Sequence, residues 1–260
     1  MQSMTFKNAE IHLWHIDHAD FDLPQLQREC LAWLTKTELA RYQRFQLDRH
    51  RKQLLLGQML IRSVLSLYDQ SIDRPAWRLI QNEYGKPAIH PDQQTLPLFF
   101  NLTHSGEKLV LAVAGFECIG VDIEQCSKQR RLGRLAARYF SARETAELQA
   151  TAEQDQLRRF YELWTLKEAY IKACGLGLAI PLHHFSYSFP TDAKLAISFD
   201  SARADDPELW QIWQLGAGDQ FKLALAAKVG EGNPIQNIGS WQMTGLEEFH
   251  ARDSTIIRTN

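Results

Sequence analysis

Apolar positions recur along this chain at two spacings, and stretches of one spacing alternate with stretches of the other. A period of two marks a strand with one buried face, and a period near 3.6 marks a helix with an apolar stripe. Residues 11–16, IHLWHI, read as a strand. Thr35 and Glu38 then make a T-x-x-E capping box, the signature of a helix start. A longer helix is predicted to begin near Asp48, a good N-cap, and to carry Leu56, Met59, Leu60, Val64 and Leu67 at helical spacing as far as Tyr68. Short strands follow at WRLI, LFFNLT and KLVLAVA. The last alternates poorly, so burial on both faces is expected.

From ECIGVDIEQ onward the same order recurs loosely: strand, helices, then strands. Ser141 and Glu144 form a second capping box, and a helix of about five turns is predicted from near Asp155 to Cys174, with Gly175 as its stop. FSYSF, LAISF, WQIWQL and FKLALAA read as an antiparallel meander. KLVLAVA and FKLALAA resemble each other, and no Pro-, Gly- or Ser-rich linker separates the two series. The fold class expected is α+β, with two similar halves at 1–116 and 117–260 and a peripheral tail after Gly230.

Composition narrows the function. A chain of 260 residues that is 45% hydrophobic can build one large core or two smaller ones. The net charge of −2 lacks the basic excess of a phosphate-backbone binder, so nucleic acid is not an expected partner. Cys30, Cys118, Cys126 and Cys174 contain no C-x-x-C pair, which argues against a zinc site or a disulfide framework and fits a reducing compartment. The N-terminal stretch has no apolar signal core, and the longest apolar run, LVLAVAGF, is too short to span a membrane. A cytoplasmic protein that does not engage membranes is expected.

The candidate chemistry begins at GVDIEQ. In a strand over residues 119–124, Ile119, Val121 and Ile123 face one way while Asp122 and Glu124 share the other face. Two like charges at that spacing disfavour joint ionisation unless a cation lies between them. The helix RRFYELWTLKEAYIKACG adds a third acid. Its apolar stripe runs through Leu157, Phe160, Tyr161, Trp164 and Ile171, and Glu168 falls on it. A buried carboxylate needs a proton, a salt-bridge partner or a metal ion, and Lys172 lies four residues on. Three other stretches suit phosphate. EYGKP sets Lys86 between a turn glycine and a proline, NLTHSG places Thr103, His104 and Ser105 at a strand end, and LDRHRKQ opens a helix with Arg49, Arg51 and Lys52.

Taken in order, EYGKP, FNLTHSG, GVDIE and FYELWTLKEAYIKACGLGL resemble the motifs of 4′-phosphopantetheinyl transferases of the surfactin-synthetase-activating type. The likeness extends from about residue 48 to residue 190. It implies two similar α+β halves in a pseudo-twofold arrangement, with coenzyme A and Mg²⁺ bound in the cleft between them. It also implies that Asp122, Glu124 and Glu168 are metal-binding acids and that Lys172 contacts the pyrophosphate. Lys86, Thr103 and His104 would then grip the 3′-phosphate and adenosine end, with Arg51 or Lys52 as a further phosphate contact. In the implied reaction a serine of an apo acyl or peptidyl carrier protein attacks the β-phosphorus of coenzyme A. Glu168, directly or through a metal-bound water, is the candidate base, and 3′,5′-ADP leaves. The enzyme is expected to act as a monomer. Two other classes stay open: a Mg²⁺-dependent nucleotide pyrophosphate hydrolase, and a non-catalytic module that binds carrier protein or coenzyme A.

Overall fold

The computed structural model describes residues 3–6, 9–127, 132–230 and 234–260. In chain order the elements are β1 (Glu10–Asp17), α1 (Leu23–Cys30), α2 (Lys36–Arg44), α3 (Asp48–Tyr68), β2 (Leu79–Gln81), β3 (Pro87–Ile89), β4 (Phe99–Ser105), β5 (Lys108–Ala114) and β6 (Ile119–Gln125). They continue with α4 (Leu132–Tyr139), α5 (Ala142–Ala150), α6 (Glu153–Cys174), β7 (Phe185–Thr191), β8 (Lys194–Phe199), β9 (Trp210–Leu215) and β10 (Phe221–Lys228). The last strands are β11 (Asn237–Met243), β12 (Phe249–Ala251) and β13 (Ile256–Thr259). The fold is α+β, and the chain divides into two compact units.

The first unit comprises Met1–Gln81, Pro87–Glu117 and Asn237–Asp253. Its sheet has the order β12-β11-β1-β5-β4. Leu56, Met59, Leu60, Val64 and Leu67 of α3 are all buried, the stripe that their spacing predicts. Leu109 to Ala114 in β5 are buried without alternation. The start of α3 differs from the sequence reading. Leu47 occupies the cap without a side-chain bond, and Asp48 is the first helical residue. There its carboxylate faces the positive end of the helix dipole and meets Arg51 at 3.1 Å.

The C-terminal segment is also placed differently. The sequence reading assigns everything from residue 117 onward to the second half and its tail to the periphery. In the structure β11 runs parallel to β1 inside the first unit's sheet, with Trp241 opposite Trp14 and their rings stacked 5.1 Å apart. The reason is a free sheet edge: β5 pairs with only one side of β1. The other side would leave buried N–H and C=O groups unbonded. Residues 231–233, where the expected tail begins, lie outside the described residues.

The second unit comprises Asn82–Lys86, Cys118–Gln236 and Ser254–Asn260. Its sheet has the order β6-β10-β9-β13-β8-β7. The four segments expected to form a meander are strands, but β13 is inserted between β9 and β8, antiparallel to the first and parallel to the second. Buried Arg258 holds β13 there by donating to Gln214 and standing 3.6 Å from Glu162 of α6. Four residues are too few to display a period, so the insertion leaves no sequence pattern. Both capping boxes form, at α2 and at α5. No helix among the described residues is long and apolar enough to cross a membrane.

Helix α6 lies directly on β6. Gly175 stops the helix in the left-handed region at φ 72°, donating to Ile171 O at 3.0 Å. Gly120 permits the close approach, since a Cβ there would stand 2.1 Å from Ala169 O and 2.3 Å from Ala173 N. These are backbone atoms of α6 and cannot rotate aside. Gly120→Ala is therefore expected to destabilise the protein by about 3 kcal/mol or more, the upper end of ordinary overpacking costs. Urea denaturation measures this, and a midpoint equal to the wild type would contradict the contact.

Candidate active site

Strand β6 sorts its side chains as its alternation requires. Ile119, Val121 and Ile123 are buried, and the opposite face presents Asp122, 5% exposed, and Glu124, half-buried. In the pairing with β10, Asp122 stands opposite Ala224 and Glu124 opposite Lys222. The small alanine leaves the space beside Asp122 to α6, and the lysine sets a positive charge across from Glu124.

From α6, Glu168 and Lys172 join this face. The Lys172 ammonium lies 2.5 Å from Asp122 Oδ1 and donates to Val121 O at 3.4 Å. Glu168 is half-buried rather than within the core as its place on the stripe predicts. Adjacent helical positions are about 100° apart, and Lys167 takes the fully buried direction, leaving Glu168 at the margin. The Glu168 carboxyl is raised to about 7: burial contributes most, the Asp122 charge next, Lys172 opposes, and Glu124 adds to the rise. A carboxyl so placed exchanges its proton near neutrality. Among the described residues, no three His, Cys, Asp or Glu side chains stand close enough to hold a metal ion as they are.

Lys86 belongs to the same unit, at the tip between β2 and β3. Gly85 makes the turn at φ 86°. The Lys86 ammonium donates to Ile119 O and Ala173 O, each at 3.2 Å. The tip is held further by Asn82, whose side-chain amide donates to Gly175 O at 2.8 Å. The C-terminal end of α6 carries the negative end of the helix dipole, which attracts a cation.

Thr103, His104 and Arg51 are in the first unit. On β4, Thr103 is buried and His104 is exposed, where it lines a cavity of about 460 Å³ with Arg41, His50, Gln53 and Leu102. Arg51 pairs with Asp48 and lies 5.9 Å from the centre of the Tyr42 ring, while Lys52 donates to His18 O at 2.7 Å. Thus Asp122, Glu124, Glu168, Lys172 and Lys86 gather around β6 and α6 of one unit. Sequence reasoning missed the ion pair of Lys167 with Glu144, both fully buried and 2.9 Å apart. The available signal was spacing: Phe160, Leu163, Lys167 and Tyr170 follow one helical face.

The family model described as the 4′-phosphopantetheinyl transferase superfamily matches residues 118–226. Over 181 residues the chain is 37% identical to 4′-phosphopantetheinyl transferase Sfp of Bacillus subtilis, covering 69% of this chain and 75% of that protein. It is 34% identical over 178 residues to 4′-phosphopantetheinyl transferase HetI of Nostoc sp., covering 68% and 73%. A phosphopantetheinyl transferase of Thraustochytrium sp. is 30% identical over 255 residues, covering 92% of this chain and 86% of its own length. The chain belongs to the 4′-phosphopantetheinyl transferase superfamily.

The raised Glu168 carboxyl gives a signed pH dependence. Its ordinary value is 4.5, so between there and about 7 the folded state binds more protons than the unfolded state. The stability from that proton is complete below the ordinary value and is lost as pH rises through the folded one. Glu168→Gln lacks this dependence. Urea denaturation should therefore show the variant gaining on the wild type from about pH 5 to about pH 8. Parallel stability curves would mean that Glu168 titrates normally.

Proposed function

We propose that this chain transfers the 4′-phosphopantetheine arm of coenzyme A to a serine of an apo acyl or peptidyl carrier protein. The observation that carries the reading is the gathering of Asp122, Glu124, Glu168 and Lys172 where α6 meets β6, with the Glu168 carboxyl raised to about 7. In the reaction the serine oxygen forms a bond to the β-phosphorus. The bond from that phosphorus to the bridging oxygen breaks, and 3′,5′-ADP leaves with the electron pair. Glu168 is assigned as the base that takes the serine proton, directly or through a water. Lys172, now on Asp122, is placed to exchange that carboxylate for a phosphate oxygen and stabilise charge on the leaving group.

The donor set fits Mg²⁺. Asp122, Glu124 and Glu168 offer only oxygen, and the mutual repulsion that helps raise Glu168 is what a divalent ion would relieve. When bound, the ion would supply charge neutralisation at the pyrophosphate. Lys86, Thr103, His104 and Arg51 are assigned to the 3′-phosphate and adenosine end through the family resemblance. For Lys86 this adds to its hold on the end of α6. A monomer in the cytoplasm completes the proposal, and the free thiols of Cys30, Cys126 and Cys174 suit a reducing setting.

Incubation with coenzyme A, Mg²⁺ and an apo carrier protein, read by intact mass, tests the reading. The carrier should gain one phosphopantetheine arm. Asp122→Asn should slow the gain by about 100-fold or more, the usual effect of removing one electrostatic element of a transfer site. Release of 3′,5′-ADP without carrier modification would point to a hydrolase. Coenzyme A binding without turnover would point to a binding module. A wild-type rate in Asp122→Asn would remove the acid cluster from the mechanism.

A further inference from the structure

The most deeply buried charges of the second unit lie just outside the acid cluster. The Lys167 ammonium stands 2.9 Å from Glu144 Oε2 and donates to Leu182 O at 2.7 Å and Phe185 O at 2.6 Å. All three of its N–H bonds are thereby used. Glu144 is equally committed. Its Oε2 accepts from Ser141 N at 2.9 Å, and its Oε1 accepts from Tyr187 N at 2.8 Å. Tyr187 in turn donates its hydroxyl proton to Leu166 O at 3.2 Å. The start of α5, strand β7 and the middle of α6 therefore meet at one ammonium.

Net stability gives little reason for charge at this spot, because an apolar pair of similar volume often serves as well or better. Direction is what an ion pair adds. A leucine tolerates small rotations of its helix, whereas three aimed hydrogen bonds do not. On the opposite side of the helix, Gly120 against Ala169 and Ala173 sets how close α6 lies to β6. A contact on backbone atoms limits how near the two elements come, whereas aimed side-chain bonds act on rotation about the helix axis.

We propose that the Lys167–Glu144 pair is a positioning device that fixes the rotation of α6 and so aims the carboxylate of the next residue, Glu168, at Asp122 and Glu124. This rests on the reading of Glu168 as a working acid of the transferase. Consecutive residues rise about 1.5 Å and turn about 100°, so pinning one fixes the next. A rotation of about 10° would move a glutamate carboxylate by roughly 1 Å, and a displacement of that size can cost about 100-fold in rate. Lys167 and Glu144 touch no substrate and act only through Glu168.

The test uses the full-length enzyme with Lys167→Arg, which keeps the charge but changes the reach, and Glu144→Gln, which keeps the shape but removes the charge. Each is measured for urea stability, for kcat and KM with coenzyme A and an apo carrier, and for Mn²⁺ affinity by calorimetry. Folded variants should lose about 10-fold or more in kcat while KM for coenzyme A stays within about 2-fold, and Mn²⁺ should bind more weakly. A purely structural pair would lower kcat only in proportion to the unfolded fraction and leave Mn²⁺ affinity unchanged in the folded protein. That result overturns the proposal, as does failure of both variants to fold, which would assign the pair to stability alone. A wild type that neither modifies a carrier nor binds Mn²⁺ overturns the transferase reading itself. A competent wild type matched by both variants overturns only the positioning role.

Discussion

Everything at the candidate site depends on how closely the backbone of α6 approaches β6. A strand and a helix usually meet through side chains, which hold their backbones well apart. Here Gly120 removes that layer, and the strand comes against the helix backbone at Ala169 and Ala173. One consequence is that Asp122, two residues along, is close enough to form an ion pair with Lys172. The other is that Glu168 enters the field of both strand acids. The fold accepts repulsion between carboxylates because their positions follow from a contact made for packing. Local strain of this kind concentrates where a protein does chemistry.

The second unit handles its two classes of charge differently. Lys167 and Glu144 are removed from water and fully matched, so neither can respond to a ligand. Asp122, Glu124, Glu168 and Lys172 are only partly withdrawn from water and leave a carboxyl that titrates near 7. The first arrangement is rigid and the second is poised. One helix carries both because neighbouring residues point about 100° apart, one into the core and one to its margin. Lys86 adds a third use of charge, as a clamp between the carbonyl that begins β6 and one that ends α6.

Periodicity made the long elements legible. The stripe of α3, the two capping boxes, the doubly buried β5 and the Gly175 stop all follow from local rules, and all are present in the fold. Pairing was legible only where neighbours in sequence are neighbours in the sheet. Nothing in STIIRTN indicates that β13 lies between β9 and β8, nor does the chain around Trp241 indicate a parallel partner in β1. Both depend on open sheet edges created far away in sequence. The acids were visible because a strand that sets two carboxylates on one face calls for an explanation. The hold of Lys86 on the start of β6 and the end of α6 was not legible, because its binding partners, two backbone carbonyls, have no signature in residue type. Lys167 was overlooked because a lysine beside a glutamate reads as surface until the helical face is traced through both.

The central claim is that strand β6 and helix α6 bring their acids into one electrostatic field. Carbon-13 NMR of the Glu168 side-chain carboxyl, followed against pH in the wild type and in Asp122→Asn, tests it most directly. The account predicts a midpoint of about 7 in the wild type, as burial and the strand charges require, and a lower one once the Asp122 charge is removed. A wild-type midpoint at the ordinary 4.5, unchanged by Asp122→Asn, would contradict it.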